Sequence, residues 1–160
     1  MSETEQAAEH DSLDEQTIPT EDWLLQDLVR IANESGDFEL PITLVVGGGI
    51  VTGKLIDLKQ YFREFGRLWN RSGTDEGAQL EEYFRKFGED PAPRAEDAPP
   101  VLYNFIHLKD AHFGGGLGLM PTNMGFLWRG RLSQVSGFSL GAMMPGKTTV
   151  TATVDHRRAG

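Results

Sequence analysis

The stretch LVVGGGIVTGKL, residues 44–55, comes close to a phosphate-binding loop. Gly48 is followed by four residues and then by Gly53 and Lys54, as in the loop whose backbone amides and lysine hold nucleotide phosphates. That loop also needs a hydroxyl after the lysine for Mg²⁺ and a helix that starts immediately. Position 55 is leucine and the apolar residues continue as a strand. We therefore interpret the glycines as the turn of a β-hairpin.

Two histidines and an aspartate, His107, Asp110 and His112, are the residues closest to a metal or catalytic cluster. In a straight strand the odd spacing of the histidines places their imidazoles on opposite faces, which does not suit one metal ion. The chain has no cysteine, which excludes thiol catalysis and thiolate zinc sites. We predict no catalytic residue, no metal site and no cofactor.

The segment FLWRGRL contains a closely spaced arginine pair, Arg129 and Arg131. Alternation along a strand places both arginines on one face, with Trp128 and Leu132 on the other. Two interpretations stay open: the arginines form a solvated outer face, or they bind an acidic partner or a phosphate.

The segment just before the arginine pair, LGLMPTNMGF at residues 117–126, places five large apolar side chains among glycines. These side chains either close over the core as a lid or remain exposed as a docking surface. The arginine pair and this segment supply the candidate partner-binding residues: Leu119, Met120, Met124, Arg129 and Arg131.

The rest of the chain predicts the elements that position these residues. A helix is expected from a cap near Thr20 to Gly36, with a buried face of Trp23, Leu24, Leu28 and Ile31. Two aromatic amphipathic helices follow the glycine hairpin. Residues 101–113 predict a strand, and residues 126–144 predict a hairpin that turns at Ser136 and Gly137.

These elements predict an α+β domain with a mostly antiparallel, bent sheet of four or five strands and about three helices packed on one side. The strands are short enough to close into a small barrel of the Sm or SH3 kind. Residues 21–144 form this single domain, with an acidic, proline-rich loop at 89–100 inside it. Residues 1–20 are expected to be a disordered acidic tail, and residues 145–160 a flexible C-terminal tail.

Charge and hydropathy restrict the partners. The net charge of −9 and the pI near 4.8 disfavour nucleic acid. No apolar run approaches the roughly 20 residues that cross a bilayer, and the first residues lack a signal sequence, so we expect no membrane contact and a cytoplasmic location. Two interpretations stay open for the acidic N-terminal tail and the basic end with Lys147, Arg157 and Arg158: the tails attract each other between molecules in a salt-sensitive way, or they only keep the protein in solution.

The phrases FIHLK, WRGRL and GFSLG, in that order, make the chain similar to the C-terminal half of the gas vesicle accessory protein U family. The likeness extends over about residues 22–144, and the chain departs from the family in its longer insert at 89–100 and in its glycine-rich loop at 114–118. The resemblance implies a non-catalytic cytoplasmic protein, associated with gas vesicles, that assists their assembly or clustering. Its partners would be the vesicle shell, other gas vesicle proteins or itself.

An alternative from a different class is an Sm-like oligomeric RNA-binding module. In such a module the Arg-x-Arg strand would bind single-stranded RNA, with bases stacked on side chains. The acidic balance of the whole chain opposes this hypothesis.

Overall fold

The computed structural model describes residues 22–89 and 101–146. In chain order the elements are α1 (Trp23–Ser35), β1 (Leu40–Val46), β2 (Gly49–Leu55), α2 (Leu58–Trp69), α3 (Asp75–Phe87), β3 (Phe105–Gly115), β4 (Gly118–Met120), β5 (Phe126–Arg131), a one-turn 3₁₀ helix (Leu132–Gln134) and β6 (Val135–Leu140). The predicted tail at 1–20, the predicted cap at Thr20, and most of the insert 89–100 and of the C-terminal segment 145–160 lie outside the described residues.

Helix α1 begins two residues later than the sequence predicts and buries a different face. The Asp22 carboxylate accepts hydrogen bonds from the amides of Leu24 and Leu25, which satisfies two donors of the first turn. The buried residues are Leu25, Val29 and Ala32, spaced by four and three. Of the predicted apolar face only Leu28 packs against the core, because apolar residues lie on two neighbouring stripes of this helix and only one of them meets the sheet. Trp23, Leu24 and Ile31 are exposed.

The strands form one six-stranded antiparallel sheet with the order β4-β3-β2-β1-β6, and β5 also pairs with β3. The phosphate-loop-like stretch is the β1–β2 hairpin, as predicted, with Val46 opposite Gly49. Gly47 and Gly48 form its turn with φ of 58° and 79°, a left-handed backbone that glycine adopts without strain. The hairpin places Lys54 within β2, where the strand continues to Leu55 before the cap of α2 at Asp57.

The predicted hairpin at residues 126–144 is wrong. The 3₁₀ helix, anchored by the buried Leu132, redirects the chain after β5, and β6 then pairs with β1 on the far side of the sheet. In the part of the chain that the structure describes, no ladder joins β5 to β6. The sheet therefore stays open and does not close into the small barrel that the strand lengths allow.

The hydrophobic core lies between α1 and one face of the sheet, and it includes Ile42, Leu44, Leu55, Ile106 and Leu108. The opposite face carries His107, whose ring centroid lies 4.6 Å from that of Tyr61 on α2. The α+β class is confirmed, with one strand more than predicted. The placement of all helices on one side is wrong, because α1 and α2 contact opposite faces of β3. No helix within the described ranges is long and apolar enough to span a bilayer.

Helices α2 and α3 form a tightly packed antiparallel hairpin. Asp57 caps α2 by accepting from the amide of Gln60 at 2.6 Å, and Thr74 caps α3 by accepting from Gly77 at 3.1 Å. A Cβ atom on Gly66 would lie only 2.8 Å from the carbonyl oxygen of Glu81, so glycine permits this close approach. Most other residues of α3 remain exposed.

Candidate functional site

The lysine of the phosphate-loop-like stretch is held in an ion-pair network. The Lys54 ammonium lies 3.2 Å from the Asp110 carboxylate and 3.6 Å from that of Glu39, which also bonds Lys109. The hydrogen bond from Lys109 lowers the pKa of Glu39, and the one to Asp110 raises the pKa of Lys54. These four side chains join β2 and β3 to Glu39, the residue before β1, so the contacts of Lys54 are structural.

His107 is buried between β3 and α2. Burial, and secondarily the positive charge of Arg129, lowers its pKa to about 3, so its imidazole is neutral at neutral pH. Its Nε2 atom has no hydrogen-bond partner among the described residues. Burial in the same contact raises the pKa of Tyr61. The His107 side chain is thus as buried as a histidine of a protein core, and it packs on aromatic rings.

His112 lies on the same face of β3 as His107, so the prediction of opposite faces is wrong. A bulge is the cause: the register of β3 shifts around Asp110, which adopts a φ of 50° and interrupts the strict alternation. The Nδ1 atom of His112 lies 2.7 Å from the carbonyl oxygen of Pro121. The described residues contain no group of three or more side chains that could hold a metal ion.

Arg129 and Arg131 lie side by side on β5, opposite His107 and Phe105 of β3. The guanidinium carbon of Arg129 lies 3.9 Å from the centroid of the Phe105 ring, and that of Arg131 lies 5.9 Å from it. Both arginines are exposed, while Trp128 packs against the core from the other face. We name the surface formed by Phe105, Arg129 and Arg131 the arginine face. These contacts hold the two guanidinium groups near one aromatic ring, and the N–H edges of both groups are open to solvent.

The segment 117–126, which we name the apolar loop, presents most of its large side chains to solvent. Leu117 is 97% exposed and Met124 71% exposed, Met120 and Phe126 are also exposed, and Leu119 is half-buried. None of these five side chains belongs to the core cluster or packs against it. The described contacts therefore favour a surface role over a lid on the core.

An open groove of about 700 Å³ lies between the apolar loop and the C-terminal end of α2. Leu68 and Arg71 line it from the helical side, and Met124 and Phe126 from the loop side. Leu68, Met124 and Phe126 are exposed, so the groove adds apolar area to the loop. Within the described ranges this brings the loop and α2 together, a juxtaposition that the sequence order did not indicate.

The sequence interpretation missed two features near these surfaces. Phe105, the platform of the arginine face, lies within the predicted strand 101–113, but its position opposite the Arg-x-Arg segment depends on the β3–β5 register. Three apolar residues of α3, Leu80, Tyr83 and Phe87, are exposed although they have core-like helical spacing. The glycines at 66, 77 and 88, which bring the helices together on another face, were the available signal.

These features define a class: a small α+β domain on an open antiparallel sheet that presents an apolar loop and an arginine pair at its surface. The chain belongs to the gas vesicle protein GvpU-like family, whose model matches residues 22–143. The resemblance carried by FIHLK, WRGRL and GFSLG is thereby confirmed, and the chain is a gas vesicle-related protein. No curated protein and no solved structure matches it.

Proposed function

We propose that this chain is a non-catalytic, cytoplasmic accessory protein that acts in the assembly or clustering of gas vesicles. The observation that carries the proposal is the exposure of the apolar loop in a chain of the GvpU-like family. The partner is the vesicle shell or another gas vesicle protein, and self-association of the bound chains would link vesicles to one another.

The chemistry of the loop supports a protein-docking role. Methionine side chains are unbranched and adaptable, so Met120 and Met124 can follow an irregular partner surface. The nearby Phe113 and Phe126 rings, with centroids 6.0 Å apart, supply rigid apolar area that loses little entropy on binding. Several large exposed apolar side chains in one segment are typical of an interaction site at a protein surface.

The side chains with catalytic potential are engaged in structural contacts, which supports the non-catalytic part of the proposal. Lys54 bonds two carboxylates, His107 is buried against Tyr61, and His112 contacts a backbone carbonyl. The RNA-binding alternative gains no support from the described residues, because the sheet does not close into a barrel and the arginine pair stacks on Phe105 of its own chain.

Flotation with purified gas vesicles tests the proposal directly. The wild-type chain should rise with the vesicles and change their clustering, as seen by light scattering. A variant with Met120→Ser and Met124→Ser should rise at least several-fold less, because it loses apolar contact area without losing charge.

The chain offers a matched control in Leu24→Ser with Ile31→Ser, which also replaces two exposed apolar side chains, on α1 and outside the groove that the apolar loop lines. This control should float like the wild type, and all variants must first show an unchanged melting transition. If the folded wild type neither floats nor alters clustering, the vesicle-related role proposed here is wrong. If both pairs of substitutions reduce flotation equally, the contact is not specific to the apolar loop.

A further inference from the structure

The arginine face has an excess of positive charge that the described residues leave without an ionic partner. No carboxylate within residues 22–89 and 101–146 forms an ion pair with Arg129 or Arg131. Four other arginines do bond a carboxylate: Arg30, Arg63, Arg67 and Arg85. Arg129 and Arg131 contact aromatic rings instead, and such stacking leaves the N–H edges of a guanidinium free to bind a carboxylate.

The negative charge of the chain is concentrated at the other end of its sequence. Residues 1–21 contain seven carboxylates and no lysine or arginine, and they therefore carry −7 of the net charge of −9. Residues 101–160, by contrast, contain six basic and two acidic side chains. The two parts of the chain are electrostatically complementary.

The described contacts place Asp22, which directly follows the acidic residues 1–21, within reach of the arginine face. The side chain of Gln26, in the second turn of α1, donates to the carbonyl oxygen of Tyr103 at 2.8 Å and accepts from its amide at 3.2 Å. Tyr103 is two residues before Phe105, which pairs with Arg131. Standard chain and helix dimensions then put Asp22 within roughly 25 Å of the arginine face.

A connection of this length makes an intramolecular contact feasible. Twenty residues can span up to about 66 Å when extended, well beyond the separation between Asp22 and the arginines. The effective concentration of the segment at a site on the same chain is on the order of mM, which is higher than that of a free partner at micromolar concentration. Several weak exposed ion pairs can then act together.

We propose that the arginine face binds the acidic segment, residues 1–21, of the same chain, so that this segment competes with any external acidic partner for Arg129 and Arg131. The contact is electrostatic, with carboxylates of the segment at the edges of the stacked guanidinium groups. It does not depend on vesicle binding through the apolar loop and can be tested without vesicles.

A spin label provides the test in the full chain. Because the chain has no cysteine, Ser12→Cys gives a single attachment point in the middle of the acidic segment. In the ¹⁵N-labelled protein, the amide signals of Arg129 and Arg131 should lose intensity relative to the chemically reduced label, whereas that of Gly73 in the α2–α3 turn should not. The loss should be strong at about 0.01 M salt and nearly absent at about 1 M, where the Debye length falls from roughly 30 Å to 3 Å.

Two variants of the labelled chain make the test specific. Arg129→Gln with Arg131→Gln should abolish the intensity loss around β5. Arg71→Gln with Lys86→Gln removes the same charge from the helical hairpin and should leave the loss unchanged. Each variant must keep the melting transition of the parent, which is expected because all four side chains are exposed.

A mixed sample identifies the chain that supplies the segment. This sample combines chains that carry the spin label but no ¹⁵N with chains that carry ¹⁵N but no spin label. It should show no intensity loss at Arg129 or Arg131. Loss in the mixed sample would show that a second copy supplies the segment to the arginine face and would overturn the proposal. Loss that survives the change of both arginines to glutamine, or that is absent at low salt, would overturn it as well.

Discussion

At the scale of single residues, surroundings decide chemistry more than motif letters do. Lys54 has the spacing of a phosphate-binding lysine, but β2 directs it to Asp110 and Glu39. His107 is of a residue type that can act as a catalytic base, but its burial keeps the imidazole neutral at neutral pH. The residues that remain free to act on a partner are those whose side chains end in solvent, such as Arg129 and Met124.

The buried histidine makes stability depend on pH. The pKa of His107 is about 3 in the folded chain against an ordinary value of 6.5, so between these values the unfolded chain binds the additional proton. The contribution of the neutral His107 to the free energy of unfolding is therefore present above its ordinary pKa of 6.5, and it is lost as the pH decreases toward 3. From pH 7 to pH 5 this residue should cost roughly 2 kcal/mol of unfolding free energy.

The variant His107→Leu checks this prediction, because it keeps the site apolar and removes the titrating group. Urea unfolding at pH 7 and pH 5 should show a loss that is smaller by roughly 2 kcal/mol in the variant than in the wild type. Equal losses in both proteins would mean that the pKa of His107 is not lowered in the folded state, although its Nε2 atom has no hydrogen-bond partner among the described residues.

At the scale of elements, local sequence patterns predicted which helices and strands exist better than they predicted which strands pair with each other. Alternating β-branched residues around glycines predicted the β1–β2 hairpin correctly, because turn and strands are set within a few residues. The pairing of β6 with β1 joins residues about 100 positions apart and has no local signal. The bulge at Asp110 is likewise set by tertiary contacts, which is why the face of His112 was mispredicted.

Surface exposure of the candidate sites was only partly predictable for the same reason. The arginine alternation in FLWRGRL depends on strand geometry alone, and the structure places Trp128 against the core and both arginines outside. Their stacking on Phe105 depends on a ladder between distant segments. The face of α3 that stays exposed depends on where three glycines let the two helices approach.

Close packing of the helical hairpin gives a prediction for Gly66→Ala. Alanine favours a helix by about 1 kcal/mol over glycine, but its Cβ would lie 2.8 Å from the backbone carbonyl oxygen of Glu81, which cannot move without shifting α3. We expect a net loss of about 1–3 kcal/mol in urea unfolding. Gly115→Ala, with open space around its added Cβ, should change stability by less than about 0.5 kcal/mol. Stabilisation by Gly66→Ala would show that α2 and α3 are less tightly joined.

At the scale of the whole molecule, two kinds of surface act under different conditions. The proposed contact between the arginine face and the acidic segment is electrostatic, so salt should screen it. The proposed partner contact of the apolar loop would rest on burial of apolar area, which salt does not screen and which sulfate strengthens. The distribution of charge along the chain thus separates a salt-sensitive contact from a salt-resistant one.

This separation predicts how vesicle binding depends on salt. If the apolar loop makes the main contact, the fraction of wild-type chain that floats with gas vesicles should be no lower at about 1 M sodium sulfate than at about 0.1 M. The Met120→Ser and Met124→Ser variant should float less at both concentrations, and Arg129→Ala with Arg131→Ala should float like the wild type at the higher one, where the Debye length is no more than about 3 Å. Flotation that disappears at high salt in the wild type would transfer the vesicle contact from the apolar loop to a charged surface, because burial of apolar area cannot weaken under those conditions.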